Sequence, residues 1–237
     1  MFDNYTLKAR FYPVIILFFP IIITGVFYSF QFESLVHLFT SLGLVGALTY
    51  LFSQLGRDQG KKKEGALWES WGGSPTVQIL RLRDTHIDSH TKLRYHKKMQ
   101  QLCVVPVIPD ITMETTNSNN ADEVYKAWTK YLISQTRDSS KYPLLLKDNT
   151  SYGFRRNLWG LKPYGLFITC IIAVCNFLFW ANQTKSWNPL SFPNAFLYST
   201  LTLFLILIFW ISIVTRNWIK IPAFAYAERL CEAIESL

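Results

Sequence analysis

Two long apolar blocks, at residues 11–55 and 164–214, constrain the fold of this chain more than any other feature of its sequence. Residues 11–30 carry no charged side chain and are long enough, at about 1.5 Å per residue, to cross a hydrocarbon core of about 30 Å. Residues 35–55, 164–181 and 195–215 have the same character. Four such segments predict a membrane protein that is mainly α-helical.

The links between these segments predict how the spans are arranged. Only a few residues separate the first two spans, so they should form an antiparallel hairpin at 1–55, and a longer loop joins the other two in a second hairpin at 164–215. Between the hairpins lies a polar stretch, 56–163, which we expect to fold as a small α or α+β domain. After the last span, we expect Pro222 to interrupt the chain and an amphipathic helix to pack on that domain or on a neighbouring subunit.

The distribution of Lys and Arg predicts the orientation. Of the 24 basic residues, 23 lie on one side of the predicted spans, and only Lys185 lies in a hairpin loop. Since basic residues near short spans resist translocation, both termini and the central domain are predicted to be cytoplasmic. The run before the first span lacks a cleavable signal, so that helix is expected to stay in the protein.

Residues 56–163 hold 18 basic against 11 acidic residues, which favours an anionic partner. The alternative is that the charges enforce topology and contact anionic lipids, and we favour this for Arg57 and for the cluster at 61–63.

A helix from Ser89 to Leu102 would carry a basic face, and the segment 65–83 combines a tryptophan pair, a Gly-Gly-Ser-Pro turn and a run that is compatible with a short strand. The candidate ligand-binding residues are Trp68, Trp71, Arg81, Arg83, His90, Arg94, Lys97 and Lys98. For each group a structural role, as a solvated face or as an interfacial tryptophan pair, stays open.

A second helix of the central domain is predicted around residues 120–132. Asn120 and Glu123 resemble a capping box, and the apolar residues that follow at helical spacing should form core.

Candidate pore-lining residues follow from small and weakly polar side chains within the spans. Thr40, Gly43, Ala47 and Gln54 share one face of the second span, and Asn176 lies in the third, where we favour an interhelical hydrogen bond over a filter. Glu33 would lie at the outer mouth of an oligomeric pore, although a solvated loop position is the simpler interpretation. One chain has too few helices for a wide channel, so conduction requires a homo-oligomer, which we take as a tetramer.

Catalytic signatures are not apparent in the sequence. It has no P-loop, nucleophile elbow or dinucleotide-binding glycine pattern, and His86 and His90 lack the further ligands of a metal site. We therefore predict a protein that is not an enzyme, with no metal or cofactor and with four free cysteine thiols.

The arrangement of spans, the chain length and the basic central domain, which includes the stretch GALWESWGGSPT, resemble the small membrane effectors of bacterial anti-phage defence systems such as Hailong, CBASS and Kiwa. The resemblance lies in layout and carries no individual residue over. It implies a homo-oligomeric ion channel in the bacterial inner membrane that opens on a nucleotide or short oligonucleotide made by a partner nucleotidyltransferase. The alternative is a membrane anchor or scaffold that recruits a soluble partner and does not conduct.

Overall fold

The computed structural model of the chain is mainly helical, at 84%. It describes residues 4–31 and 36–237, except for the side chains at 31, 36–39, 41, 45 and 47. No strand occurs in these described ranges, so the α alternative for the central region holds there and the α+β alternative does not.

The long helices occupy the apolar blocks, and shorter ones fill the stretch between them. A short α1 (Asn4–Thr6) leads through a π-helical segment (Leu7–Phe11) into the first long helix. The remaining helices are α2 (Tyr12–Gln31), α3 (Val36–Trp71), α4 (Pro75–Leu80), α5 (Ser89–Leu102), α6 (Ile111–Thr116), α7 (Ser118–Gln135), α8 (Pro143–Thr184), α9 (Asn194–Ile208) and α10 (Arg216–Glu232). Short 3₁₀ segments cover Pro189–Ser191 and Ala233–Ser236, and a second π-helical segment covers Phe209–Ile213.

Among the described residues, three helical stretches are long and apolar enough to cross a membrane. They are Asn4–Phe30, Pro143–Thr184 and Asn194–Ile213. The chain is thus compatible with a membrane-embedded protein. Residues 36–55 of the predicted second span, 35–55, lie within α3, which continues without a break to Trp71.

The chain divides into two compact units. The membrane unit comprises Met1–Lys63 and Gly153–Ile219, and the helical unit comprises Glu64–Tyr152 and Lys220–Leu237. In the membrane unit, Val14, Leu17, Leu158 and Trp210 form the centre of an apolar core, and a second cluster surrounds Trp180. Many other apolar side chains of this unit are exposed in the single chain, as expected of surfaces that face lipid.

The core of the helical unit confirms two predictions from periodicity. Helix α5 spans Ser89–Leu102 as predicted, and the stripe on α7 is core, with Trp128 and Leu132 fully buried. The α7 cap was predicted wrongly, because the side chain of Asn117 accepts a hydrogen bond from the backbone N–H of Asn120, and the helix begins at Ser118. Three asparagines within four residues offer the same capping chemistry, so composition alone does not select among them.

The strand compatible with the run after Gly72-Gly73 is not present. Residues 75–80 form helix α4, with Pro75 in its first turn, where the missing N–H has no helical partner to lose. The two glycines before it adopt φ values of +93° and +128°, a region that favours glycine. The turn was therefore predicted correctly, whereas the element that follows it was not.

The C-terminal tail does not break at Pro222, which lies inside α10. A proline leaves the carbonyl four residues earlier, that of Trp218, without its helical partner, and the guanidinium of Arg155 donates a hydrogen bond to this carbonyl at 2.7 Å. Downstream, Ala227, Leu230 and other apolar residues of the tail are buried in the core of the helical unit. The apolar face of the tail thus packs within its own chain.

Candidate functional site

The predicted pore face lies on the part of α3 within the membrane unit. Thr40 and Gly43 are exposed in the single chain, and Gln54 is half-buried. A methyl group at Gly43, or at Gly46 nearby, would meet no atom within 4 Å in the described part of the chain. Glu33 and the side chain of Ala47 lie outside the described residues. The visible part of this face therefore has room for a neighbour.

Asn176 does not belong to an open face. Its side chain is buried, and its carbonyl oxygen accepts a hydrogen bond from the hydroxyl of Tyr28 at 2.9 Å. Its amide nitrogen donates to the hydroxyls of Ser199 at 3.0 Å and of Thr200 at 3.1 Å. The side chain joins α2, α8 and α9 within one chain, in agreement with the interhelical role that we favoured from the sequence.

A glycine contact between α3 and α8 went unnoticed in the sequence. A methyl group at Gly160 would lie 2.5 Å from the backbone nitrogen of Gly60 and 2.9 Å from the carbonyl oxygen of Gly56. The two helices therefore touch backbone to backbone. The spacing of Gly56 and Gly60, four residues apart, is the pattern that allows such close approach, and it is visible in the sequence.

Arg81, a ligand-binding candidate, is engaged within the helical unit. Its guanidinium forms a two-point ion pair with Asp122, at 2.9 and 2.6 Å, and donates to the Gly72 carbonyl at 3.0 Å. The hydrogen bond and charge of Asp122 raise the pKa of Arg81. The side chain of Arg83 remains exposed. Arg81 thus holds the glycine turn and α7 together, whereas Arg83 is accessible.

The tryptophan pair lies at the end of α3. Trp68 and Trp71 are half-buried, and the ring of Trp71 lies 6.4 Å from that of Phe224 in the tail helix. Phe224 in turn stacks on His86 with ring centres 5.0 Å apart. The pair therefore borders an aromatic cluster of the helical unit.

The basic face of α5 is partly neutralised by the C-terminal turn. Arg94 donates to the carboxylate of Glu235 at 2.7 Å, and Lys98 donates to the backbone carbonyl of the same residue at 2.9 Å. His90 and Lys97 are exposed. Of the four basic candidates on this helix, two are therefore used in binding the tail.

A buried polar cluster beside this face was missed. The ammonium group of Lys92 donates to the backbone carbonyls of Arg81, at 2.8 Å, and of Asp84. The carboxylate of Glu114 accepts hydrogen bonds from the N–H of Leu82 at 2.6 Å, the N–H of Arg83 at 3.2 Å and the hydroxyl of Tyr125 at 2.6 Å. A lysine and a glutamate on separate helices thus fix the loop that follows α4.

Burial sets the protonation of this cluster. It lowers the pKa of Lys92, which the carboxylate of Asp84 partly opposes. It lowers the pKa of His96, whose Nε2 lies 2.8 Å from the Leu80 carbonyl, and so favours the neutral imidazole. Desolvation and the bond to Glu114 raise the pKa of Tyr125. The only sequence signal for this cluster is that polar residues occupy core positions of α5, α6 and α7.

Two cavities of the helical unit lie apart from all the predicted ligand-binding residues. They share Tyr142 and Leu145 and have volumes of about 150 and 310 Å³. Arg137 lines the smaller cavity, and Lys141 lines the larger one. Arg229 and Glu232 also line the larger cavity, but the Arg229 guanidinium is paired with the carboxylates of Glu232, at 2.5 Å, and of Asp148, at 3.6 Å. Both cavities are large enough for a small anionic group, for which Arg137 and Lys141 are the basic side chains.

The charge of the two units corrects the simple picture of a basic central domain. The helical unit carries 13 basic and 13 acidic residues, whereas the membrane unit carries 11 basic and 3 acidic residues. The positive excess of the chain therefore belongs to the membrane unit, next to the predicted spans. This distribution favours the topological and lipid-contacting interpretation of the charge.

Comparison of the chain with protein-family models, curated proteins and solved structures finds no match. All four cysteines are free thiols, as predicted. His86 contacts the carboxylate of Asp84 at 3.0 Å, but no group of three metal-ligating side chains converges within the described ranges.

Proposed function

We propose that the chain is a homo-oligomeric membrane effector that conducts ions when its helical unit binds an anionic signal. In this proposal it spans the bacterial inner membrane four times, with α3 supplying the second span, and both termini and the helical unit face the cytoplasm. Three apolar helices and the one-sided distribution of basic residues support this topology.

The observation that carries the proposal is the open face of α3. Thr40 and Gly43 are exposed, and space beside Gly43 and Gly46 is empty in the single chain. Small and weakly polar residues on a membrane helix are typical of close helix association or of a wet pore wall. An oligomer in which α3 from each subunit lines the axis uses this face for both purposes.

The signal is expected to act through the helical unit. Because this unit has no net charge, recognition of a nucleotide or short oligonucleotide depends on local groups and not on a general positive field. The two cavities at Tyr142, with Arg137 in one and Lys141 in the other, provide such groups. Arg83, His90 and Lys97 are the exposed members of the basic set predicted from the sequence.

Ion flux from liposomes tests the proposal. Purified full-length protein should release trapped ions on addition of one member of a panel of cyclic nucleotides and short oligonucleotides, and Gly43→Leu should reduce this flux. Gly65→Leu is the matched control, because Gly65 lies on the same helix but outside the predicted span. A methyl group added there would also meet no described atom within 4 Å. If intact, reconstituted protein releases no ions from liposomes with any ligand of the panel, the proposal is contradicted.

A scaffold that recruits a soluble partner is the second candidate, and an exposed apolar segment favours it. Residues 99–109 carry no charge, and Val104, Val107 and Ile108 are 86%, 56% and 49% exposed. Exposed apolar surface on a charge-balanced unit is typical of a protein-binding site. In that case Val104→Asp should abolish co-purification of a stoichiometric partner, whereas Leu93→Asp, at a site 52% exposed on α5, should not.

A further inference from the structure

The membrane unit holds a cluster of basic side chains that are not matched by carboxylates. Arg155, Trp159 and Lys162 follow one another at helical spacing on one face of α8, directly before the predicted third span. Arg155 contacts the ring of Trp218, and Lys162 contacts the ring of Trp159. We call these four residues the α8 basic face. It lies in the unit that carries the whole positive excess of the chain.

Arg155 has most of its donors free. One N–H donates to the Trp218 carbonyl at 2.7 Å, and the centre of the guanidinium lies 4.7 Å from the Trp218 ring centre. A guanidinium carries five N–H donors in a planar fork that matches phosphate geometry. The contact with Trp218 therefore orients the side chain and leaves the rest of the fork available.

Lys162 caps the end of the neighbouring helix. Its ammonium group donates to the carbonyls of Val214 at 2.8 Å and Ile211 at 3.3 Å, and lies 5.3 Å from the Trp159 ring centre. Carbonyl groups carry only partial charge, so they do not neutralise an ammonium ion. Within the described part of the chain, neither Arg155 nor Lys162 pairs with a carboxylate.

Apolar surface adjoins these cations. Ile211, whose carbonyl Lys162 caps, is 60% exposed, and Ile213 is 47% exposed. A ligand that presents a phosphate to the cations and hydrocarbon to these side chains satisfies both kinds of surface, which a free phosphate ion does not.

We propose that the α8 basic face binds the phosphate group of an anionic phospholipid, with the acyl chain against Ile211 and Ile213. The two tryptophans lie at the level of the headgroup, where such side chains are enriched in membrane proteins. This site is independent of whether the protein conducts ions.

Native mass spectrometry of the detergent-solubilised full-length protein tests the site, with phosphatidylglycerol and phosphatidylcholine as probes. The wild-type protein should retain phosphatidylglycerol about tenfold better, from the contribution of basic residues near anionic headgroups. The double variant Arg155→Gln/Lys162→Gln should lose this preference. Lys126→Gln/Lys130→Gln is the matched control, since it removes the same charge from an exposed face of α7, and it should keep the preference.

Four outcomes would overturn the proposal. The first is a wild-type protein that binds both lipids equally, and the second is a double variant that keeps the preference. The third is an equal loss in the α7 control, which would indicate general charge attraction, and the fourth is displacement of the lipid by millimolar inorganic phosphate. If the double glutamine variant does not fold, the single variant Lys162→Gln replaces it and should weaken the preference; an unchanged preference there also counts against the site.

Discussion

Replacing Gly160 by alanine should separate two helices of the membrane unit. The added methyl group would lie 2.5 Å from the backbone nitrogen of Gly60, whereas an ordinary contact is 3.4–4 Å. The opposing atoms belong to a helix backbone and cannot rotate away as a side chain would. Helix α3 must therefore move by about 1 Å, which disrupts packing along its whole contact with α8.

Two opposing effects determine the magnitude. Overpacking of this kind costs about 1–3 kcal/mol. Alanine is a better helix former than glycine by about 0.8–1 kcal/mol, which offsets part of that cost. We expect a net loss of up to about 2 kcal/mol, equivalent to a fall of up to about 8 °C in Tm for a chain of this size.

Thermal unfolding in detergent, followed by circular dichroism, measures this effect. Gly65→Ala is the matched control, because a methyl group there meets nothing within 4 Å and only the gain in helix propensity remains. Its Tm should equal or exceed that of the wild-type protein. A Gly160→Ala variant that is as stable as the Gly65→Ala variant would refute the close contact between α3 and α8.

Three further changes test other parts of the structure. Asn176→Leu should lower the unfolding free energy in mixed micelles by about 1–2 kcal/mol, since it removes three interhelical hydrogen bonds. Ser199→Ala, which removes one of the three, should cost about 0.6 kcal/mol. Glu114→Gln should lower the unfolding free energy by about 1–3 kcal/mol and speed amide hydrogen exchange in the loop after α4, whereas Tyr125→Phe should have a smaller effect. Loop amides that stay as protected in Glu114→Gln as in the wild-type protein would contradict this. Burial lowers the pKa of His96, so as pH falls below about 6.5 the imidazole becomes protonated in the unfolded chain before it does in the folded one. The unfolding free energy should therefore fall by up to about 1.4 kcal/mol per pH unit, and His96→Gln should remove this contribution.

The sequence predicted those elements whose evidence is local. Charge-free stretches of about 20 residues predicted four spans, and three of them, all but residues 35–55, correspond to helices that are long and apolar enough to cross a membrane within the described residues. Periodicity predicted α5 and the buried stripe of α7. Pro75 and Pro222 were harder to interpret, because proline both starts and interrupts helices. Pro222 leaves the carbonyl of Trp218 without its helical partner, and this carbonyl is bonded by Arg155, 63 residues before Trp218 in the chain.

The candidate site was less predictable, because charge alone does not show which basic residues are already paired. Arg81 and Arg94 appeared equivalent to Arg83 and Lys97 in the sequence, yet the first two bind Asp122 and Glu235. Pairs separated by 41 and 141 residues leave no pattern in a single sequence. The division of charge between the units likewise cannot be seen in the sequence, because each unit combines two separate stretches of the chain.

Single-channel recording in planar bilayers tests the central claim most directly. Full-length protein, with its subunit number first established by mass measurement, is added with the nucleotide panel on the side of the helical unit. The account predicts discrete current steps from a defined oligomer that require the ligand and become smaller or rarer in Gly43→Leu, but not in Gly65→Leu. An intact protein that gives no current with any ligand, or that is monomeric in the membrane, would contradict it.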